Sequence, residues 1–438
     1  MHVELDRPAA ERLASGFLAG LHQRGIGSGA MVAFSSPNSP ELLAAVFACL
    51  RARVAPVVLS ASLTSFERHD MLRDLPIALV VDDESCTSLA RTPVSASTPR
   101  MDDSFACRPL HFTSGTSGRP KAVWSGWLDA SASAAATDEE RAVWGFEPTD
   151  RHLVNAPLSH SAPLRFALNT LLHGGTVLLP RRFDTGETSG LLSDAGVTTT
   201  FMAPAHLQRV LAQAPPRDHS LRLLAHAGSA CPTWVKHAAI DRFGASVVTE
   251  FYGSTEGQFT VCASHEWLER PGTVGRARPG RELKTVDDQI WCRTPLHARF
   301  EYWGDPDKTA AAWDGDWFTV GDLGRIDADG YLYLEGRRGD LVITGGVNVY
   351  PAEVERVLGE LTGVDKVCVV GVDDERWGQR VCAALTGEVT DAEVRAYAEA
   401  HLAPYKRPKT VLVADALPLT HSGKVDRLKV AALLAAVA

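Results

Sequence analysis

The sequence predicts an α/β protein in two parts: a large N-terminal domain of layered, mostly parallel β-sheets flanked by helices, and a small α+β C-terminal domain. Three observations predict it. The chain has 438 residues, and single hydrophobic cores stop growing at roughly 250 to 300. Short apolar runs alternate with helical-period stretches through the first three hundred positions, the pattern of strand and crossover helix. From about Asp305 the pattern changes to short strands and tight turns.

Residues 8–24 place apolar side chains at helical spacing and stop at Gly25, where a glycine C-cap belongs. MVAFSS is a short strand. SPELLAAVFACLRARV opens on Ser39 and Pro40, an N-cap followed by a first-turn proline, and VAPVVLS returns as a strand. The same alternation recurs at ALVVDD, TVLLP, TTTFMAP, LRLLAHAG and SVVTEFYG. In DLGRIDADGYLYLEGRR, DADG marks a turn between two half-buried strands. GVNVYPAEVERVLGEL gives a strand, a proline turn and a helix, and residues 366–387 and 391–402 give two strands and a further helix. A boundary near Gly336 to Asp340 divides the chain into domains 1–336 and 337–438.

Composition narrows the function classes. Forty-four basic against 53 acidic side chains give a net charge of -9, and no basic stripe with interleaved aromatics offsets it, so nucleic acid is not an expected partner. No apolar run reaches the length of a membrane span, and charges interrupt the first residues where a secretory segment would be apolar, which predicts a cytoplasmic location. Eight scattered cysteines without ligand spacing read as reduced thiols in the core.

Chemistry concentrates in HFTSGTSGRPKAV, residues 111–123. Small residues allow backbone amides to approach an anion, hydroxyls donate hydrogen bonds, and Lys121 supplies a point charge for phosphate. It is no P-loop, because Ala122 stands where Ser or Thr should follow the lysine.

TSGTSGRPK resembles the signature phosphate loop of the adenylate-forming superfamily, which includes acyl-CoA synthetases, peptide-synthetase adenylation domains and luciferases. Further segments match in the family's order: FYGSTEG at 251–257, the stretch WFTVGDLGRIDADGYLYLEGRRGDLVITGGVNVYPAEVE at 317–355, PYKRP at 404–408 and LPLTHSGKVDR at 417–427. The resemblance implies ATP, Mg2+ and coenzyme A as co-substrates and cofactor, and a mobile C-terminal lid. Thr113, Ser114, Gly115, Thr116, Ser117, Gly118 and Lys121 would hold the terminal phosphates. Glu256 would ligate magnesium with Thr116 beside it. Tyr252 would stack on adenine, with Gly228, Ser229 and Ala230 lining the base and Gly253, Ser254 and Thr255 completing the motif. Asp322 would accept the ribose hydroxyls with Arg337 behind it. Lys424 would act in adenylation, Gly345 and Gly346 would border the pantetheine channel, and Gly339 would be the hinge, with Asp340 the other candidate.

By the same resemblance His160, in NAPLSHSAPLRFAL, would gate the acid carboxylate, and Ser161, Ala162, Phe201, Ala203, His206 and Gly228 would line the acid pocket. No aspartate near His160 offers itself to an amino group, so an apolar or bulky carboxylic acid is expected rather than an amino acid. The phosphate loop begins early, near residue 113, which implies an abbreviated outer N-terminal subdomain. Val320 stands where a threonine is usual. The expected activity is acyl-CoA ligation. Loading of a carrier-protein phosphopantetheine and a catalytically silent binding homologue are the alternatives, and monomer and homodimer both stay open.

Overall fold

The computed structural model describes residues 2–113, 120–213, 218–344, 347–374, 376–420 and 423–437. Many of the helices begin where the sequence supplies a side-chain acceptor. Asp6, Ser39, Thr64, Asp82, Asp129, Asp184, Thr390 and Asp426 each accept a backbone N–H of the first turn.

The central layer is a 14-stranded sheet. Strands Thr176–Pro180, Arg151–Val154, Thr199–Met202, Leu223–His226 and Val248–Gly253 run parallel to their neighbours, each returned by a helix. Parallel pairing ends there. Gln258–Ala263, Thr273–Ala277, Tyr331–Arg337 and Asp322–Ile326 continue the same sheet in antiparallel fashion. The change falls at FYGSTEG because a tight turn, closed by the Ser254 N–H on the Gly257 carbonyl, replaces a crossover helix. At the other edge His2–Leu5, unanticipated in the sequence, pairs antiparallel with Thr176–Pro180.

Two smaller sheets cover the N-terminal side. Met31–Phe34 lies between Ala55–Val58 and Ile77–Val81 in a parallel three-stranded sheet. Its buried strands pack with helices Arg7–Gln23 and Pro40–Arg51 into a core that extends to Leu164 and Leu168. His111–Thr113, Lys121–Trp124 and Glu301–Tyr302 form the other, antiparallel.

Residues from Val342 onward enclose cores of their own. Strands Val364–Asp374 and Gly378–Gly387 make a long antiparallel pair; Thr410–Val413 adds in parallel, and helices Pro351–Leu358 and Arg427–Ala436 contact Val364–Asp374. A single 3-10 turn, Arg338–Asp340, separates this body from the central sheet.

Candidate nucleotide and acid site

Asp322 and Arg337 are directly opposed cross-strand partners, which fixes their contact by register. Nε of Arg337 donates to Oδ1 of Asp322 at 2.7 Å, and the Tyr252 hydroxyl donates to Oδ2 at 2.5 Å. Tyr252 comes from the strand Val248–Gly253 at a register shift against Gln258–Ala263, where a bulge re-aims side chains. Burial and then the Asp322 carboxylate push the Tyr252 phenol well above its ordinary pKa, so it remains a donor. The Asp322 carboxylate is thus oriented from two sides, and each oxygen keeps a lone pair for a vicinal diol.

A second group forms around Glu256. Tyr302 is brought to it by the short strand that pairs Tyr302 with Val123, and its hydroxyl donates to Oε1 of Glu256 at 2.9 Å. Lys121 Nζ lies 4.8 Å from the centre of the Tyr302 ring. Burial and the neighbouring Lys308 ammonium lower the Lys121 pKa, while Asp305 and Glu256 oppose them. Thr113 is the register partner of Lys121, so both ends of the phosphate-loop segment arrive together. Ser114, Gly115, Thr116, Ser117 and Gly118 lie outside the described residues, as do Gly345 and Gly346. Glu256 is buried, and no described residue hydrogen-bonds its Oε2. One hard carboxylate oxygen with room for phosphate and water suits magnesium, which keeps most of its shell from non-protein oxygens. Ser254 Oγ is buried without a partner among the described residues, a donor left for a ligand.

Gly228 follows the strand Leu223–His226 with φ 98°, a left-handed conformation that turns the chain at the strand end and leaves Gly228, Ser229 and Ala230 exposed. The C-terminal body contributes Lys424. The Thr420 N–H donates to the Lys424 carbonyl at 2.7 Å and Gly423 takes φ 79°, so a tight turn presents the side chain. Lys424 reaches cleft solvent, yet the surrounding walls desolvate it; this and the Arg337 guanidinium lower its pKa, against the opposite pull of Asp322 and Glu256. His160, the N-cap residue of helix Ser161–Leu172, is likewise lowered, by desolvation and then by Lys424. His206 is lowered by burial, Arg209 and His160, and it stacks on Phe183 at 4.2 Å.

The cleft therefore gathers Lys121, Glu256, Asp322, Arg337, Tyr252, His160, His206 and Lys424, residues more than three hundred positions apart. Phe201 belongs to a buried aromatic cluster with Trp144, Phe166 and Phe251, against which Ala162 packs. Three features had no local signal: the Tyr302–Glu256 bond, the Tyr252–Asp322 bond, and Arg108, which donates to the Glu256 carbonyl at 3.2 Å from beneath. Val320 packs into the core beside Phe318, while the adjacent Thr319 hydroxyl accepts from Gly321 and Gln289. Thr319 is thereby committed to the turn.

Fold and cleft together define a nucleotide-binding enzyme of two bodies with its cations and acceptors at their junction. The chain belongs to the AMP-binding enzyme family: that family's model matches residues 8–294, and the model of the family's C-terminal domain matches 353–424. It is 30% identical to a 2-succinylbenzoate–CoA ligase of Bacillus pumilus, covering 93% of this chain and 88% of that one. Identity is 33% with a feruloyl-CoA synthase of Amycolatopsis, over 97% and 92% of the two chains. Among solved structures, the o-succinylbenzoate CoA synthetase of Bacillus subtilis with its acyl-adenylate intermediate superposes with a TM-score of 0.87 at 25% identity, over 97% and 92% of the chains. An amide bond synthetase of Marinactinospora thermotolerans reaches 0.86 at 26%, over 97% and 94%.

Proposed function

We propose that the protein is an AMP-forming acid–thiol ligase, joining an apolar or bulky carboxylic acid to coenzyme A at the expense of ATP. The observation that carries this reading is the entry of Lys424, from the C-terminal body, into the field of Asp322, Glu256 and His160. An ammonium there meets the two anions that must be brought together, a carboxylate and an α-phosphate.

In the first half-reaction an acid oxygen attacks the α-phosphorus and the bond to pyrophosphate breaks. Charge builds on phosphate oxygens, and Lys121 and Lys424 neutralise it. Asp322, oriented by Arg337 and Tyr252, holds the ribose. Glu256 would hold magnesium, which when bound would supply positive charge to the phosphates. His160, kept neutral, lies at the mouth of the acid pocket formed by Ser161, Ala162, Phe201, Ala203, His206 and Gly228. In the second half-reaction the thiol sulfur attacks the acyl carbonyl and AMP leaves with the bonding pair. The domains divide after Gly336, and rotation of the lid about Gly339 removes Lys424 between the two steps.

Relatives named as CoA ligases of 2-succinylbenzoate and ferulate support a bulky acid and the CoA acceptor. The likeness to an amide bond synthetase favours a second reading, in which an amine takes the acyl group. A carrier-protein thiol is a third acceptor of the same chemistry. Incubation with ATP, a panel of acids and, in parallel, CoA, a phosphopantetheinyl carrier or amines decides: acyl-CoA as the product supports the ligase reading, and product in the other arms alone overturns it. No acid-dependent pyrophosphate exchange with any acid would leave the silent homologue.

A further inference from the structure

Glu256, the residue expected to hold magnesium, stands in the short turn between the strands Val248–Gly253 and Gln258–Ala263. Thr113 and Lys121, the described ends of the phosphate loop, belong to a different sheet. The distance between carboxylate and cation must therefore be set across two sheets, and Arg108 spans them. Its backbone N–H donates to the Ser125 hydroxyl at 3.0 Å, next to the end of the strand Lys121–Trp124, and the strand His111–Thr113 begins three residues after it. Its guanidinium reaches the other way. Nη1 donates to the Glu256 carbonyl at 3.2 Å and Nη2 to the Arg299 carbonyl at 3.0 Å.

The second contact gives the first its meaning. Arg299 lies three residues before Tyr302 and leads into the strand Glu301–Tyr302, which pairs with Lys121–Trp124. The Tyr302 hydroxyl donates to Oε1 of Glu256 at 2.9 Å. One planar fork thus holds the main chain on both sides of the Tyr302–Glu256 bond, and its stem is rooted beside the hairpin that carries Lys121. Among the described residues Arg108 makes no ion pair and its Nε has no partner, so the two carbonyls are what its charged donors serve. A lysine would keep the charge but not the fork: a point charge on a flexible stem serves one carbonyl or the other, not both in a fixed plane.

We propose that Arg108 is a positioning residue for the metal carboxylate: by tying the Glu256 and Arg299 carbonyls to the phosphate-loop hairpin, it sets the Tyr302–Glu256 pair at the spacing from Lys121 and Thr113 that a metal-bound triphosphate requires. Arg108 acts through Glu256 and not on the nucleotide. Outer-shell partners of this kind govern metal affinity because they decide where the ligating oxygen points. The inference rests on the ligase reading, which assigns Glu256 to the metal, and adds the residue that places it.

The test is calorimetric titration with ATP in EDTA and in saturating Mn2+, without any acid; the ratio of the two dissociation constants is the gain due to the metal. AMP in EDTA, which lacks the terminal phosphates, certifies the fold and the nucleoside site. In Arg108→Lys the metal gain is expected to fall roughly tenfold with AMP affinity within about twofold of wild type. Tyr302→Phe should lower the gain roughly fivefold, and the double variant should fall within about twofold of Arg108→Lys alone, because both act through one carboxylate. Loss of AMP affinity in step with the metal gain, or full additivity of the two substitutions, overturns the assignment. Should Arg108→Lys not fold, Tyr302→Phe decides, and an unchanged gain there overturns it as well. Glu256→Gln, expected to abolish the gain, separates this inference from the reading beneath it. If it does so while Arg108→Lys leaves the gain unchanged, the role of Arg108 falls and the metal role of Glu256 stands. If wild type shows no gain, or Glu256→Gln keeps it, the metal assignment in the ligase reading falls and this one with it.

Discussion

The Tyr252 hydroxyl donates to Oδ2 of Asp322 at 2.5 Å, so the residue expected to lie against the base also orients the residue expected to hold the sugar. Arg337 holds the other carboxylate oxygen. Tyr252→Phe keeps the ring and removes only this bond, and the net value of such a bond is about 1 kcal/mol. We expect KM for ATP to rise roughly fivefold with kcat within about twofold. Asp322→Ala should cost far more, because it removes the carboxylate proposed to accept the ribose hydroxyls and not only one bond that orients it. Calorimetric titration with ATP reads both, and equal losses in the two variants would deny Asp322 a direct contact with the nucleotide.

Lys424 should matter to one half-reaction only. Lys424→Ala is expected to lower acid-dependent pyrophosphate exchange by roughly 100- to 1,000-fold, the usual cost of a donor aimed at transition-state charge. Thioester formation from supplied acyl-AMP should hardly change. Since desolvation and then Arg337 depress its pKa, the protonated form is lost, as pH rises, at a value below the ordinary lysine range. The alkaline limb of kcat/KM for the acid should therefore fall early, and Lys424→Arg, if active, should move it upward. A limb that stays in place in Lys424→Arg assigns it to another group.

Much of this site was legible because the motif residues sit beside turns whose chemistry is local. DADG closes a hairpin between Asp322–Ile326 and Tyr331–Arg337, and its ends bring Asp322 opposite Arg337. The hydroxyl and glycine run before Lys121, and the SGK turn before Lys424, are likewise continuous in sequence. What escaped reading is assembled across the chain. Tyr302 reaches Glu256 from an edge strand of only two residues. Arg108, Arg165 and the neighbouring pair Arg278 and Arg281 converge from three separate segments, and each alone reads as a surface charge. The same holds for Lys236, buried between His226 and Glu250. Parallel strands were visible up to Gly253 as apolar runs, but the antiparallel continuation depends on turns, not on any change in hydrophobic period.

Acid should destabilise the fold through neutral core histidines. Burial holds His111 and His152 at about 4, below their usual 6.5. Above pH 6.5 neither state binds the proton and no linkage arises; as pH falls from 6.5 to about 4 the unfolded chain takes up protons that the folded chain refuses, and stability is lost. A shift of that size corresponds to roughly 3 kcal/mol for each residue at the acid end. Urea midpoints compared at pH 7.5 and pH 5 should show the loss, and His152→Gln should flatten the dependence. The Thr199 hydroxyl, 3.0 Å from Nδ1 of His152, offers the replacement amide a partner. An equally steep fall in the variant would assign the acid lability to other groups.

The pivot of the lid can be argued from what holds its neighbours. Asp340 pairs with Nε of Arg427 at 3.3 Å, and Arg427 in turn bonds Glu355 at 2.6 Å and the Val369 carbonyl at 2.6 Å, all within the C-terminal body. Asp340 is therefore carried as part of the lid, whereas Gly339 has open space, with nothing within 4 Å of the position a Cβ would take. Rotation about Gly339 leaves the Arg427 pairs intact; rotation about Asp340 would have to break one. Gly339→Ala should be tolerated in this arrangement, while Gly339→Pro, by fixing φ, should leave pyrophosphate exchange within about threefold and reduce CoA-dependent turnover by roughly 100-fold. Asp340→Asn, which keeps the shape and drops the charge, should alter the balance of the two half-reactions little. If Gly339→Pro retains full CoA turnover and Asp340→Asn does not, the pivot lies at Asp340, and the Asp340–Arg427 pair becomes a latch between the two states.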